Sequence, residues 1–187
     1  MRLDVIVLNG VSSAGKSSLA RALQEKLAAP WLTFGIDTLI TAMPYRLTGA
    51  PEGLVFEPDG RVVVGPTFLE LEQRWRVGVA AMVRAGARVI LDEVMLGGAE
   101  EQARWREALA GLQVLWVAVR CDLAEAARRE GERGDRFIGL AASQSSIIHA
   151  GVAYDLEVDT TRASSDDCAQ LIVAHVTATT AAQAGEP

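Results

Sequence analysis

Lysine is nearly absent from this chain: of 18 cationic side chains only Lys16 and Lys26 are Lys, and all the others are Arg. Cysteine and histidine are as sparse, at two each, and aromatic residues make up 5%. Cys121 and Cys168 stand far apart with no CxxC or Cys/His cluster, which excludes a disulfide scaffold and a structural zinc site and leaves two buried thiols as the expectation. No apolar run approaches the roughly 18 residues that span a bilayer, and Val5-Ile6-Val7-Leu8 is too short for a signal-peptide core, so a cytoplasmic location without membrane attachment is expected. Cationic charge is also in deficit, with a net charge of −6. That balance argues against non-specific binding to nucleic acid, whose affinity rests on many cationic contacts to phosphates.

What the chain does have is apolar material, 50% of 187 residues against 22% charged. This suits one folded domain, expected over residues 1–178, with an aperiodic, frayed tail over 179–187. Short, nearly continuous apolar runs at 4–9, 31–36, 88–92, 113–120 and 154–158 alternate with helix-period stretches at 16–27, 66–85, 99–110, 123–132 and 165–177. That alternation predicts an α/β fold, a five-stranded parallel sheet with helices on both faces. Leu19, Leu23 and Leu27 recur at i, i+4, i+8, which makes the helix after the first strand the best defined. Two apolar runs around Glu57-Pro58-Asp59-Gly60 predict a small inserted β-hairpin. Residues 128–139, where Arg alternates with Glu, Asp and Gly, read as a mobile excursion.

Gly10-Val11-Ser12-Ser13-Ala14-Gly15-Lys16-Ser17 matches GxxxxGK[ST] between the first strand and that helix. Glycines at 10 and 15 permit backbone conformations that turn successive N–H groups inward, making an anion cradle at a helix N-terminus. Gly10 to Ser18 is therefore the expected site for the phosphates of ATP, Ser18 opening the helix behind them. Lys16 would reach the β- and γ-phosphates and the Ser17 hydroxyl would ligate Mg²⁺. The rarity of lysine elsewhere sets Lys16 apart.

Asp92 ends an apolar strand, where an acid either holds Mg²⁺ or caps a turn; beside a phosphate cradle the metal role leads. Asp37 follows Phe34-Gly35-Ile36 at the carboxyl end of the second strand, the edge at which open α/β sheets bind ligands. A carboxylate there can orient an acceptor hydroxyl and take its proton, and it can equally cap a helix starting at Thr38-Leu39-Ile40. Arg133 and Arg136 can fold over the nucleotide to stabilise charge on a migrating phosphoryl group, or form a solvated helix end. His149 and His175 have no partner pattern and read as structural.

The chain resembles the chloramphenicol phosphotransferase family of ATP-dependent antibiotic kinases. The resemblance rests on Leu8-Asn9-Gly10 leading into Ser12 to Ser17, on Phe34-Gly35-Ile36-Asp37, and on Ala85-Gly86-Ala87-Arg88 with Asp92. It continues through Leu96-Gly97-Gly98, Leu115-Trp116-Val117, Val119-Arg120-Cys121-Asp122, Arg133-Gly134-Asp135-Arg136 and Glu157-Val158-Asp159-Thr160-Thr161. It implies phosphorylation of the primary hydroxyl of chloramphenicol, Asp37 as proton acceptor, a lid carrying Arg133 and Arg136, and kinship with shikimate and adenylate kinases. Departures lie at Tyr45 to Pro51 and Ser143 to Ile148, so a different acceptor would enter there.

The acceptor, a neutral aromatic drug, calls for apolar surface with a few polar groups. Leu39, Met43, Pro44, Val55, Phe56, Trp75, Met95 and Leu96 are candidates for that surface. Two other readings stand beside this one: a kinase of the same build for another small alcohol, and a non-catalytic ATP-binding regulatory module. A monophosphate acceptor is disfavoured because Arg46 is the one cation in 34–53, and a GTPase switch because no NKxD string occurs.

Overall fold

The computed structural model describes residues 2–133 and 139–184, the side chains of residues 133 and 180–184 excepted. Its centre is β1 (Val5–Asn9), flanked by β5 (Val89–Glu93) and β6 (Val114–Arg120). Outside these lie β2 (Leu32–Gly35) and β7 (Leu156–Asp159), giving the order β2-β5-β1-β6-β7 with every pairing parallel. The predicted five-stranded α/β sheet is therefore present. All five residues of β1 are buried because helices cover both sides of the sheet.

Strand periodicity sorts β1 between two cores. Ile6 and Leu8 pack with Leu19 and Leu23 of α1 (Lys16–Lys26) and Ile172 of α7 (Ser165–Ala184). Val5 and Val7 face the other way, onto Val79 and Val83 of α3 (Pro66–Arg84) and Trp105 of α4 (Ala99–Ala108). Each fully buried Leu in these layers is worth about 1.5–3 kcal/mol of transfer free energy, which fixes the helices on the sheet and so fixes the loops at its edge.

The insertion is a hairpin of β3 (Leu54–Phe56) and β4 (Val62–Val64), as predicted. It has its own small core, in which Leu54 and Phe68 meet Leu39 of α2 (Ile36–Ala42), Met43 just beyond its end, and Leu47 of a single 3₁₀ turn, Tyr45–Leu47. The strand expected over 31–36 is shorter than its apolar run, because Ile36 already opens α2 and buries its side chain toward the hairpin.

The helix expected over 123–132 is α5 (Leu123–Arg133), stapled by ion pairs of Arg128 with Glu125 and Glu132 and of Arg129 with Glu125, so the excursion expected over 128–139 does not begin before residue 134; residues 134–138 of it lie outside the described residues. α6 (Leu140–Gln144) is a helix that no periodicity announces. α7 extends through Ala184, into the segment expected as a tail over 179–187, in keeping with the helix propensity of its Ala-rich sequence; residues 185–187 lie outside the described residues. Both thiols are free, Cys168 buried and Cys121 only half-buried. Among the described residues no helix is long and apolar enough to cross a membrane.

Candidate active site

β1 is the strand at which chain connections diverge to both sides of the sheet, and the crevice beyond its carboxyl end is the natural ligand site of such folds. The Gly10 to Ser17 loop leaves β1 there. A Cβ at Gly10 would lie 2.5 Å from the Val119 carbonyl oxygen, so only glycine lets the loop pass this close to β6. Ser13 and Gly15 both take left-handed backbone, at φ 58° and 86°, which is what curls consecutive amides into a concavity. Thr160 braces the loop from outside, its hydroxyl donating to the Ala14 carbonyl at 2.7 Å.

Inside the loop, Lys16 is 6% exposed and folds back, Nζ donating to the Val11 carbonyl at 2.9 Å and standing 3.8 Å from Oδ1 of Asp92. Oδ2 of the same carboxylate accepts the Ser17 hydroxyl at 2.6 Å. Asn9, the last residue of β1, ties the neighbouring walls together. Its Oδ1 accepts from the Met95 amide at 3.0 Å, and its Nδ2 donates to the Ile148 carbonyl at 2.7 Å and to the Tyr154 hydroxyl at 2.6 Å. His149 completes that cluster through Nδ1 and the Tyr154 hydroxyl at 2.6 Å; burial, with help from Arg120, holds its imidazole down at about 4. His149 is thus neutral and structural near neutral pH.

Asp37 sits in the first turn of α2, two residues beyond Gly35. Gly35 pairs with Asp92 across β2 and β5, and a Cβ there would lie 2.2 Å from the Asp92 carbonyl oxygen. This close strand contact brings Asp37 to the wall of the same cavity as Ser12, Lys16, Ser17 and Asp92. The cavity measures about 860 Å³ and runs from the loop to the hairpin. Its apolar wall comes from Ile36, Ile40, Leu54, Phe56, Val62 and Phe68, among others. Of the apolar candidates named from the sequence only Phe56 and Leu96 line it; Leu39, Met43 and Met95 are core, since apolar spacing alone does not distinguish a core from a cavity wall.

The cavity also has a charged wall that the sequence did not disclose. Glu72, Glu101, Arg61 and Arg104 line it. Glu72 forms a buried ion pair at 3.0 Å with Arg76, one helical turn on. Burial lifts the Glu101 carboxyl to about 7, against the hydrogen bond it accepts from the Gly97 amide at 2.9 Å. Burial, then the neighbouring acids, raises Glu93 well above the ordinary carboxylate range. Gln144 is the other unannounced member: it is 5% exposed, and its Oε1 accepts from the Ser12 amide at 2.7 Å. Of the expected lid residues, Arg133 ends α5 with its side chain outside the described residues, and Arg136 lies outside them altogether.

A divalent cation fits the donor set at the cradle. Ser17 and Asp92 already converge as two oxygen donors beside the anion loop, which suits Mg²⁺ shared with substrate phosphates. Among the described residues no group of three His, Cys, Asp or Glu side chains forms an all-protein cage.

Known proteins similar to this chain include phosphotransferases and kinases. Two Mycobacterium tuberculosis proteins named "Putative O-phosphotransferase" (MT2714 and Rv2636) are each 36% identical over 170 residues, covering 84% of this chain and 75% of theirs. Shikimate kinase of Corynebacterium glutamicum is 32% identical over 142 residues, covering 76% of this chain and 73% of the enzyme. In fold, the chain superposes on the M. tuberculosis APS kinase CysC in complex with AMPPNP and APS with a TM-score of 0.65, at 21% identity, covering 92% and 96% of the two chains. It superposes on the Deinococcus radiodurans tunicamycin resistance protein with a TM-score of 0.63, at 19% identity, covering 94% and 96%. A kinase-type phosphotransferase is the activity these relatives support, and with the family model matching residues 3–177, the chain belongs to the chloramphenicol phosphotransferase-like family.

Proposed function

We propose that the protein transfers the γ-phosphoryl group of ATP to the hydroxyl of a small neutral molecule, with the primary hydroxyl of chloramphenicol as the preferred acceptor. The observation that carries this reading is that one cavity holds the phosphate cradle, the Lys16–Asp92–Ser17 cluster, the Asp37 carboxylate and an apolar chamber under the hairpin. A volume of about 860 Å³ is in the range of sites that enclose drug-sized ligands.

The loop amides and Lys16 bind the triphosphate, Lys16 exchanging its bond to the Val11 carbonyl for phosphate oxygens. Ser17 and Asp92 would hold Mg²⁺, which would supply charge neutralisation for the triphosphate. Asp37 accepts the proton of the acceptor hydroxyl as its oxygen bonds to the γ-phosphorus and the bond from that phosphorus to the β,γ-bridging oxygen breaks, releasing ADP. The apolar wall keeps water, the competing nucleophile, away from the γ-phosphate. No enzyme-bound intermediate is required, because positioning and charge stabilisation supply the catalysis.

The test is to incubate the protein with ATP, Mg²⁺ and chloramphenicol and follow the drug by mass spectrometry. A gain of one phosphoryl group on the primary hydroxyl is expected. ATP-dependent phosphorylation of a different alcohol, with chloramphenicol untouched, would keep the chemistry and replace the acceptor.

A further inference from the structure

Gln144 belongs to no recognisable motif, lies 132 residues from the Ser12 amide it engages, and is set into the cavity wall with care. Its short helix is held at three points. The buried Glu130 carboxylate of α5 accepts the Gly139 amide at 2.7 Å and the Ala141 amide at 3.2 Å. The Ser143 hydroxyl donates to the Gly60 carbonyl at the hairpin tip at 2.7 Å. Asn9 of β1 holds the Ile148 carbonyl at the far end of the segment. Gly60 and Gly139 approach so closely that a Cβ on Gly60 would meet the Gly139 backbone at 2.3 Å, so the hairpin tip and α6 form one wall.

A backbone N–H can only donate, so the Ser12 bond fixes which end of the Gln144 carboxamide faces the loop: the oxygen. The amide nitrogen then points away from that bond, and among the described residues no group accepts from it. Gln144 is 5% exposed as a residue and lines the cavity, which is the open space beside its amide group. The two N–H donors therefore belong to a side chain that the cradle holds by its oxygen and that lines the cavity between the phosphate loop and the hairpin.

We propose that Gln144 is a further catalytic residue, whose Nε2 donates to an oxygen of the phosphoryl group while it passes from ATP to the acceptor. This rests on the phosphotransfer reading above and adds a residue to it. A neutral, preorganised donor suits that position, because charge builds on the phosphoryl oxygens during transfer and a fixed dipole needs no reorganisation to meet it. The contact to Gly60 gives the donor a second attribute: its position depends on the hairpin that covers the acceptor chamber.

Three proteins separate this role from a structural one: wild type, Gln144→Glu and Gln144→Met. The Glu variant keeps an oxygen for the Ser12 amide and loses the donors; the Met variant keeps volume, is neutral and loses both. Binding of Mg·ADP and of Mg·ADP with aluminium fluoride, a mimic of phosphoryl transfer, is measured by calorimetry, with thermal melts as the control for folding. The expected result is Mg·ADP affinity within about threefold of wild type in the Met variant and weaker in the Glu variant, whose new carboxylate repels phosphate, with the extra affinity for the aluminium fluoride complex over Mg·ADP reduced about 100-fold in both, the scale of losing one such donor. Folded variants that bind the mimic as wild type does would overturn the proposal while leaving phosphotransfer intact. A wild-type protein that binds neither complex would overturn the phosphotransfer reading itself, and Gln144 with it. None of these readouts depends on which alcohol is the acceptor.

Discussion

Ser17 and Asp92, 75 positions apart in the chain, meet through a 2.6 Å hydrogen bond at the mouth of the phosphate loop. The pairing follows from the parallel register of β1 with β5, which sets Leu8 opposite Asp92 and so brings the exit of one strand beside the acid of the other. The bond occupies the oxygens proposed to hold Mg²⁺.

Replacing Asp92 by Asn should therefore change nucleotide binding in opposite directions with and without the metal. Without Mg²⁺, loss of the carboxylate 3.8 Å from Lys16 removes a repulsion toward phosphate, and ADP should bind more tightly. With Mg²⁺, one of two protein oxygen donors loses its charge, and the metal should be needed at 10- to 100-fold higher concentration for the same turnover, the usual scale for weakening a metal site. Titrations of ADP with and without Mg²⁺ check both signs; equal affinities in variant and wild type would remove Asp92 from the site.

Asp37→Asn tests the proton acceptor. The amide keeps the size of the side chain but cannot take a proton, so turnover should fall by about 10²–10⁴ while ATP affinity stays within a few-fold. Steady-state kinetics with direct nucleotide titration separates the two. Unchanged turnover would assign the proton to another group on the cavity wall.

The sheet and the loop were legible because their signals are local. β1, β5 and β6 are runs of Val, Ile and Leu with sharp ends, and the Gly and Lys of the loop stand at a fixed spacing between strand and helix. α2 was only half visible, since Ile36 extends the apolar run of β2 and conceals the change from strand to helix. The charged wall was hidden for a different reason. Glu72, Arg76 and Glu101 read as solvent-facing positions of two helices, and only tertiary packing reveals that they are buried against Glu93. Gln144 carries no periodic signal, because its partner is distant in the chain and its neighbours, Ala, Ser and Ser, have no period; only its place in the 143–148 segment that departs from the family strings marked it.

Gly35→Ala examines how tightly the two acids depend on one strand contact. The new methyl would meet the Asp92 carbonyl oxygen at 2.2 Å, so β2 must move away from β5 at its carboxyl end, carrying Asp37 with it. Overpacking of this kind costs about 1–3 kcal/mol, readable in urea denaturation. Activity should fall further than stability does, because the displaced end of the strand is the one that positions Asp37 against the phosphate cradle. A variant with full stability would mean that the contact between the strands is looser than its geometry.

Glu101 provides a pH test that does not need the acceptor. Its folded carboxyl titrates at about 7 against an ordinary 4.5, chiefly because it is 5% exposed. Below 4.5 both folded and unfolded chains hold the proton and burial carries no ionisation cost. Between 4.5 and 7 the unfolded chain releases the proton first, so stability falls as pH rises; above 7 the loss is complete. The ceiling on that loss is about 3 kcal/mol from the separation of the two values. Glu101→Gln keeps an oxygen for the Gly97 amide and has nothing to ionise, so it should match wild type near pH 4.5 and exceed it at pH 8. Denaturation curves of the two proteins at both pH values measure the difference directly. Parallel loss of stability in wild type and variant would show that Glu101 ionises as freely in the folded protein as in the unfolded chain, and that the wall it shares with Arg104 keeps a constant charge around pH 7.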